Sequence, residues 1–511
     1  MRTVLACDLG GTSFRAALVD ELGQTIAAQT APGPAANDRL GWSEIDPDAW
    51  WRTLITAVSA LAEDAPEQFA EAEAIAICGV TRTQIFLDRD GAVLRPAITW
   101  RDARAEPADL LARLPRAHPE YHNVNAFHPV ARLNWLREHE GASFARLATV
   151  LDPKDFLNFR LTGRRVSDPV SMARLAAAAI NGPDGRSLLD VIAAPGSIVP
   201  PLIAPTGLVG RVIAHLPQPL GRLAGKPVFC CANDTWAAVL GLGALRPGCA
   251  YNISGTTEVF GVIGEKPLSA EGLMSVDWLG MHQLGGPGQN GADTIAWLLE
   301  LLHDEPKDAP VGTAIDALLR GETDPQPVLF LPYLSGERTP FWDADLRGAF
   351  IGLNRNHRGI DLAWAVLEGI AFLNRVVLER AETALGHPVA EIRFGGGAAS
   401  NSIWRQIKAD ICERPVLVGE SSQPGTLGAA AVAWTGLRQF PSLDAAQRAL
   451  ARVAYRHEPD AARAAFYRPL FDLFRQSHDA LAPTSHALAA LARMTPSLRG
   501  QDAQNPQNGP Q

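Results

Sequence analysis

The stretch FCCANDTWAAVLGLGALRPGCAYNISGTTEVF, residues 229–260, sets out the plan of the chain. Val228 to Ala232 reads as a buried strand that delivers one carboxylate, Asp234, to its carboxyl end. A helix of small residues follows, Thr235 to Leu242. A second strand, Ala250 to Ser254, breaks at Gly255-Thr256-Thr257, a hydroxyl-bearing turn of phosphate size. Open α/β sheets bind ligands beyond the carboxyl ends of their strands. An acid and a Gly/Thr turn are therefore expected at two such ends. Asp at the start of a helix also reads as an N-cap, and both readings of Asp234 stand at this point.

The amino terminus shows the same device. Val4 to Cys7 is a strand ending at Asp8-Leu9-Gly10-Gly11-Thr12-Ser13, and Phe14 to Val19 is the return strand. Glycines at the tip of such a hairpin let backbone N–H groups approach an anion, and hydroxyls add donors. Asp8 repels phosphate but suits a magnesium ion held through water. An ordinary hairpin turn is the other reading. Two such hairpins, each with strand–helix units behind it, predict two similarly folded lobes facing one another, with a nucleotide's phosphates at both tips.

Further out, Asp46-Pro47 is a helix start, with Trp50, Leu54, Val58 and Leu61 at helical spacing behind it. Ala74 to Cys78 is a strand leading into Gly79-Val80-Thr81-Arg82-Thr83-Gln84, and Asp90-Gly91 marks a hairpin. Trp100, Arg101 and Asp102 share a short loop that suits a polyhydroxylated ligand, or is a salt-bridged surface loop. Residues 176–225 read as connections. Leu284 to Gly291 precedes a helix, its glycines marking either close approach to a ligand or only a loop, and Asp361 to Arg380 reads as a long helix. Glu391 to Phe394 is a strand ending in Gly395-Gly396-Gly397-Ala398, a flat slot suited to a planar base; Asn401 would bond the base edge or cap the next helix. Tyr467 to Ala482 is amphipathic, and the Gln/Asn/Pro-rich end reads as disordered.

Bulk properties set limits. At 511 residues two domains are expected: 1–245, 246–485 and a disordered tail 486–511. No apolar run is long enough to cross a membrane, and the first residues enter a strand without a signal-peptide pattern. A net charge of -9 with no basic run argues against nucleic acid as a partner. The six cysteines form no CxxC pair and read as reduced core residues of a cytoplasmic protein. No Gly-x4-Gly-Lys-Ser/Thr P-loop and no zinc ligand set are present.

Phe127-x-Pro129-x2-Arg132-Leu133-x-Trp135-Leu136-x-Glu138-His139 resembles the first signature of the FGGY carbohydrate kinases, with Arg132 where Lys is usual. Gly348-x-Phe350-x-Gly352-Leu353, followed after seven residues by Asp361-Leu362-x2-Ala365-Val366-Leu367-Glu368, resembles the second. The resemblance spans about residues 3 to 480. It implies an α/β fold of two ribonuclease-H-like (actin-like ATPase) lobes with mixed central sheets and an interdomain cleft. It implies ATP and Mg²⁺ as cofactors, a small-molecule sugar as partner, and dimers as a common assembly. By resemblance Asp234 is the catalytic base and Asp8 helps hold Mg²⁺. Gly10, Gly11, Thr12 and Ser13 form the first phosphate loop, with Arg15 near the phosphates. Gly255, Thr256 and Thr257 form the second, and Gly396, Gly397, Ala398 and Asn401 the adenosine pocket. Gly11 stands where many relatives carry Thr.

Leu331 to Pro340 and Pro153 to Gly163 look most like xylulokinases. Those enzymes carry Gln-Met-His, and glycerol kinases Gln-Arg-Glu, where this chain has Thr83-Gln84-Ile85. Thr83, Gln84, Trp100, Asp102 and Asp234 are the candidate sugar contacts. A ketopentose such as D-xylulose, giving the 5-phosphate, is the first expectation; L-fuculose, ribulose, erythritol, glycerol or a signalling sugar are the alternatives. A non-catalytic ATP-switched binding protein of the same fold would keep the hairpins but would not need Asp234.

Overall fold

A computed structural model describes residues 2–39, 41–255, 257–302, 315 and 317–494. The chain forms two compact units. The first comprises Met1–Leu245 with Gln423–Arg452, the second Arg246–Ser422 with Val453–Gln511.

The first unit is built on a six-stranded sheet. Its strands are β1 (Thr3–Leu9), β2 (Ser13–Asp20), β3 (Thr25–Pro32), β4 (Ile75–Gly79), β5 (Leu208–Arg211) and β6 (Pro227–Phe229), in the order β5-β6-β4-β1-β2-β3. β1, β2 and β3 form an antiparallel meander, while β4 and β6 run parallel to β1 and to each other. β4 is buried along its whole length, and its apolar run Ile75-Ala76-Ile77-Cys78 is what a strand covered on both faces requires.

The second unit repeats the plan. Its strands are β7 (Cys249–Ser254), β8 (Glu258–Gly264), β9 (Met274–Trp278), β10 (Met281–Pro287), β11 (Glu391–Gly395), β12 (Val416–Gly419) and β13 (Val453–His457), ordered β9-β10-β8-β7-β11-β12-β13. Again a meander, β7-β8-β10, is extended by parallel strands, β11 and β12. The repeat predicted from the two hairpins is thus present as two mixed sheets with one connectivity.

Helices complete each unit. α1 (Pro47–Asp64) starts with Pro at N1 and Asp46 accepting the Asp48 N–H, and buries Trp50, Leu54, Val58 and Leu61. α2 spans Pro129–His139, and α3 spans Pro153–Thr162 and closes on left-handed Gly163. α4 (Asp234–Gly241) follows β6. α5 (Asp293–Leu301), α6 (Gly359–Leu385) and α7 (Ser402–Cys412) belong to the second unit, and α8 (Pro424–Gly436) to the first. α9 (Ala461–Met494) ends the described chain.

Four readings differ from the structure. Residues 423–452 pack with the first unit rather than the second, because α8 and α4 meet backbone to backbone: a Cβ on Gly428 would lie 1.8 Å from the Ala237 carbonyl oxygen, and one on Gly241 1.9 Å from that of Pro424. Residues 176–225 are not only connections, since β5 adds an edge strand. Gly285 and Gly286 lie in β10, not a loop; a Cβ on Gly285 would meet the Phe260 carbonyl oxygen at 2.3 Å, so these glycines permit a close strand contact. Of the expected tail, residues 486–494 continue α9, and the rest lies outside the described residues.

All six cysteines are free and buried. Among the described residues no helix is long and apolar enough to cross a membrane.

Candidate active site

In the first unit three adjacent parallel strands end together. Asp8 on β1 is in register with Cys78 on β4, and Gly79 at the end of β4 forms a bridge to Asn233, just before α4. Asp8, Asp234 and the segment after Gly79 therefore share one sheet edge, the carboxyl edge expected to bind ligands.

Asp234 is the first residue of α4 and is not its cap. Asn233 caps the helix, its Oδ1 accepting the Trp236 N–H at 2.9 Å. Asp234 Oδ1 accepts from the Thr235 N–H at 2.6 Å and hydroxyl at 3.3 Å, and among the described residues no basic side chain pairs with it. Burial without a counter-ion raises its pKa. Asp8, half-buried, is raised to about 6, first by burial and then by the negative charge of Asp234, against the opposing pull of Arg15 and the Cys78 thiol. The Cys78 Sγ lies 3.6 Å from Asp8 Oδ1, 3.6 Å from the Gly425 carbonyl oxygen and 3.4 Å from that of Cys7. A Cβ on Gly425 would stand 2.2 Å from Asp8 Oδ2, so the first turn of α8 closes directly on this carboxylate.

The first hairpin tip is drawn tight by the Gly10 N–H donating to the Ser13 carbonyl at 2.9 Å, and is held by the Gly33 N–H donating to the Thr12 carbonyl at 2.8 Å. Gly11 and Thr12 are exposed, Gly10 and Ser13 half-buried. A Cβ on Gly11 would meet nothing within 4 Å, so a Thr there would fit; the chain's departure at this position has no steric cause. Arg15 on β2 is in register with Asp8.

The expected sugar contacts divide. Trp100 is 40% exposed, and its backbone N–H donates to the Thr83 hydroxyl at 3.2 Å. Thr83 and Gln84 are buried; the Gln84 Oε1 has no partner among the described residues. Asp102 is a correction. It is 0% exposed, and its two oxygens accept from the Ser43 N–H at 2.6 Å, the Arg104 N–H at 3.0 Å and the Arg104 guanidinium at 2.6–3.0 Å. Arg104 packs against both Trp42 and Trp135, 3.7 and 4.8 Å from their ring centroids. Asp102 thus fixes the loop and has no face left for a sugar.

Arg82 lies three residues past Gly79, is exposed, and has φ 58°. Arg132 holds its carbonyl oxygen at 2.6 Å and that of Asp102 at 3.1 Å, which gives the Arg in place of the usual Lys two acceptors to span. The run Gly79 to Gln84 pointed at this segment, but nothing in it marked Arg82 over its neighbours.

Asp155, Asp168 and Cys230 form the one three-ligand cluster among the described residues. Lys154 Nζ sits at 2.5 Å from Asp155 and 2.8 Å from Asp168, so an ammonium already occupies it.

In the second unit Gly255 and Thr257 form the β7–β8 tip, the Gly255 N–H donating to the Thr257 carbonyl at 3.0 Å; Thr256 lies outside the described residues. Gly396, at φ 89°, lies against this tip: a Cβ there would be 2.2 Å from the Ser254 carbonyl oxygen. Gly397 is exposed with open space beside it, and Ala398 is buried. Asn401 caps α7, its Oδ1 accepting the Trp404 N–H at 2.8 Å. Glu258 anchors the hairpin through Lys408, 3.4 Å away, itself bonded to Asn374 at 2.5 Å. Glu337, in the xylulokinase-like Leu331–Pro340 stretch, accepts from Gln289 N–H at 2.5 Å and from the Asn290 side chain at 3.0 Å. That stretch therefore supports a turn of its own unit.

Residues 3–241 match the N-terminal domain, and residues 250–437 the C-terminal domain, of the FGGY family of carbohydrate kinases. The chain is 30% identical over 488 residues to a xylulose kinase of Escherichia coli, covering 94% of this chain and 99% of that one. It is 29% identical over 491 residues to one of Bacillus subtilis, covering 93% and 96%. The crystal structure of a xylulose kinase from Rhodospirillum rubrum superposes with a TM-score of 0.81 at 28% identity, over 95% and 100% of the two chains. Two sheet-bearing units of actin-like ATPase connectivity, each with its hairpin, and matches to both domains lead to one conclusion: the chain belongs to the FGGY family of carbohydrate kinases and is an ATP-dependent sugar kinase.

Proposed function

We propose that the chain transfers the γ-phosphoryl group of ATP to the terminal hydroxyl of an open-chain sugar, with D-xylulose as first candidate and the 5-phosphate as product. The observation that carries the mechanism is Asp234, a carboxylate with a raised pKa, no cationic partner among the described residues and a position at the carboxyl edge. Asp234 accepts the proton of the attacking hydroxyl, a contribution of roughly 10²–10⁴ in rate. Gly10 to Ser13 and Arg15 receive phosphate oxygens in the first unit. Gly255, Thr256, Thr257, Gly396, Gly397, Ala398 and Asn401 serve the nucleotide in the second.

Asp8 and Asp234 bring two carboxylates to one edge, with Arg15 acting on Asp8 alone, and this excess charge fits a divalent ion. Asp8 would hold Mg²⁺ through water, and the ion would neutralise charge on the transferred phosphate. Trp100 offers a face to the sugar chain, with Thr83 and Gln84 beneath. Support for D-xylulose comes from the names of the Escherichia coli and Bacillus subtilis relatives. The buried free thiols support a cytoplasmic setting; assembly as a homodimer belongs to the same reading and is checked by light scattering.

The test is coupled ADP release against D-xylulose, D- and L-ribulose, L-fuculose, glycerol and erythritol. Sugar-dependent turnover with low sugar-free ATPase is expected. ATP binding with no turnover on any sugar would point to an ATP-switched binding protein.

A further inference from the structure

The β7–β8 hairpin tip is exposed at Gly255, where a Cβ would meet nothing within 4 Å. Its position is set from the turn between β10 and α5. The Ala292 N–H donates to the Gly255 carbonyl at 3.0 Å, and the Gly288 N–H donates to the Glu258 carbonyl at 2.8 Å. Residues 288–292 thus grip the tip on both of its sides.

That turn is itself held by one buried side chain. Glu337 is 2% exposed. Its Oε1 accepts from the Gln289 N–H at 2.5 Å and from the Arg338 N–H at 2.9 Å. Its Oε2 accepts from the Asn290 amide at 3.0 Å, and the same amide donates to the Gly336 carbonyl at 2.8 Å. The Arg338 guanidinium donates to the Gly288 carbonyl. A Cβ on Gly288 would lie 3.4 Å from Glu337 Oε1 and 3.5 Å from the Glu258 Cβ, so the turn passes directly between the carboxylate and the hairpin. Burial pushes the Glu337 carboxyl up to about 7, against the pull of these bonds and of Arg338. A buried carboxylate is costly unless its lone pairs are met, and among the described residues those that meet them are the turn and the adjoining Arg338 N–H.

We propose that Glu337 is a positioning residue for the nucleotide: by fixing residues 288–292 it fixes the Gly255 carbonyl, and with it the hairpin tip that receives ATP. This rests on the reading of Gly255, Thr256 and Thr257 as nucleotide contacts. Glu337 acts through the Gln289 and Asn290 donors and then the Ala292 N–H, not on the reacting atoms. Without the carboxylate, the Gln289 N–H and the buried Asn290 amide lose their acceptor, and the turn shifts to find another. The Lys408–Glu258 pair anchors the hairpin separately, so its strands stay paired while the tip moves.

The experiment measures equilibrium binding of magnesium–ATP and of D-xylulose to the full chain, with a melting curve for each variant. Glu337→Ala is expected to weaken magnesium–ATP binding at least about tenfold and D-xylulose binding less than about twofold, as a misplaced contact does. Glu337→Gln should fall between, because its amide oxygen still accepts one donor, and it carries the comparison if the alanine variant does not fold. Ala292→Pro removes the N–H that reaches Gly255 at a residue whose φ of −65° suits proline. It should weaken magnesium–ATP binding as Glu337→Ala does, and the double variant should lose no more than either, since both act through one link. Unchanged magnesium–ATP binding in folded Glu337 variants, beside a loss in Ala292→Pro, would overturn the inference and leave the hairpin reading intact. Additive losses in the double variant, or equal losses for ATP and sugar, would overturn it as well. Unchanged magnesium–ATP binding in both Ala292→Pro and Thr257→Ala would remove the nucleotide reading of the hairpin, and the inference with it.

Discussion

Gly425, in the first turn of α8, stands against Asp8: a Cβ on the glycine would lie 2.2 Å from Asp8 Oδ2 and 2.7 Å from its Cγ. The helix start and the carboxylate are 417 positions apart in sequence yet share one contact in one unit. The neighbour is a carboxylate on a sheet strand, so relief requires Asp8 to rotate or α8 to shift. Gly425→Ala should therefore misplace Asp8 by about 1 Å and lower kcat about 100-fold, with the unit still folded. Steady-state kinetics together with a melting curve check this.

Asp8 itself should trade stability for function. Its folded pKa of about 6 lies above the ordinary value of 3.8. The folded state therefore holds the proton more tightly, and stability falls as pH rises from about 4 to about 6. At pH 7.5 the charged form costs up to about 3 kcal/mol, at 1.36 kcal/mol per unit. Asp8→Asn should raise the thermal midpoint at pH 7.5, show little gain below pH 4, and lose phosphoryl transfer.

Asp102 belongs to the scaffold. Asp102→Ala would leave Arg104 buried against Trp42 and Trp135 with Glu44 as its remaining acid. Removing one partner of a buried ion pair costs about 3–5 kcal/mol. Denaturant unfolding should show a loss of that size, and the KM for sugar should change less than the stability.

Asn401 has its side-chain oxygen committed to Trp404. Asn401→Ala should cost about 1 kcal/mol through the lost cap. If the residue also serves adenosine, KM for ATP should rise while KM for sugar stays level. Asn401→Asp keeps the cap and separates the two effects.

Much of this was legible from residues alone. Both hairpins, their glycine and hydroxyl tips, the Asp46 cap, the Gly163 stop and the buried strand before Asp234 follow from local chemistry. What was not legible depended on distant backbone. The membership of 423–452 in the first unit is decided by Gly428 against Ala237 and Gly241 against Pro424, contacts made by the absence of side chains. Asp102 looked like a ligand because its spacing from Trp100 suits a sugar; Ser43, some sixty residues earlier, and Arg104 claim it instead.

The central claim is that Asp234 takes the proton from the sugar hydroxyl. The most direct test is sugar-dependent ADP release by Asp234→Ala and Asp234→Asn, with ATP affinity measured on the same preparations. A fall in kcat of at least about 10²–10⁴ with ATP affinity unchanged is predicted. Wild-type-like turnover in either variant would contradict it.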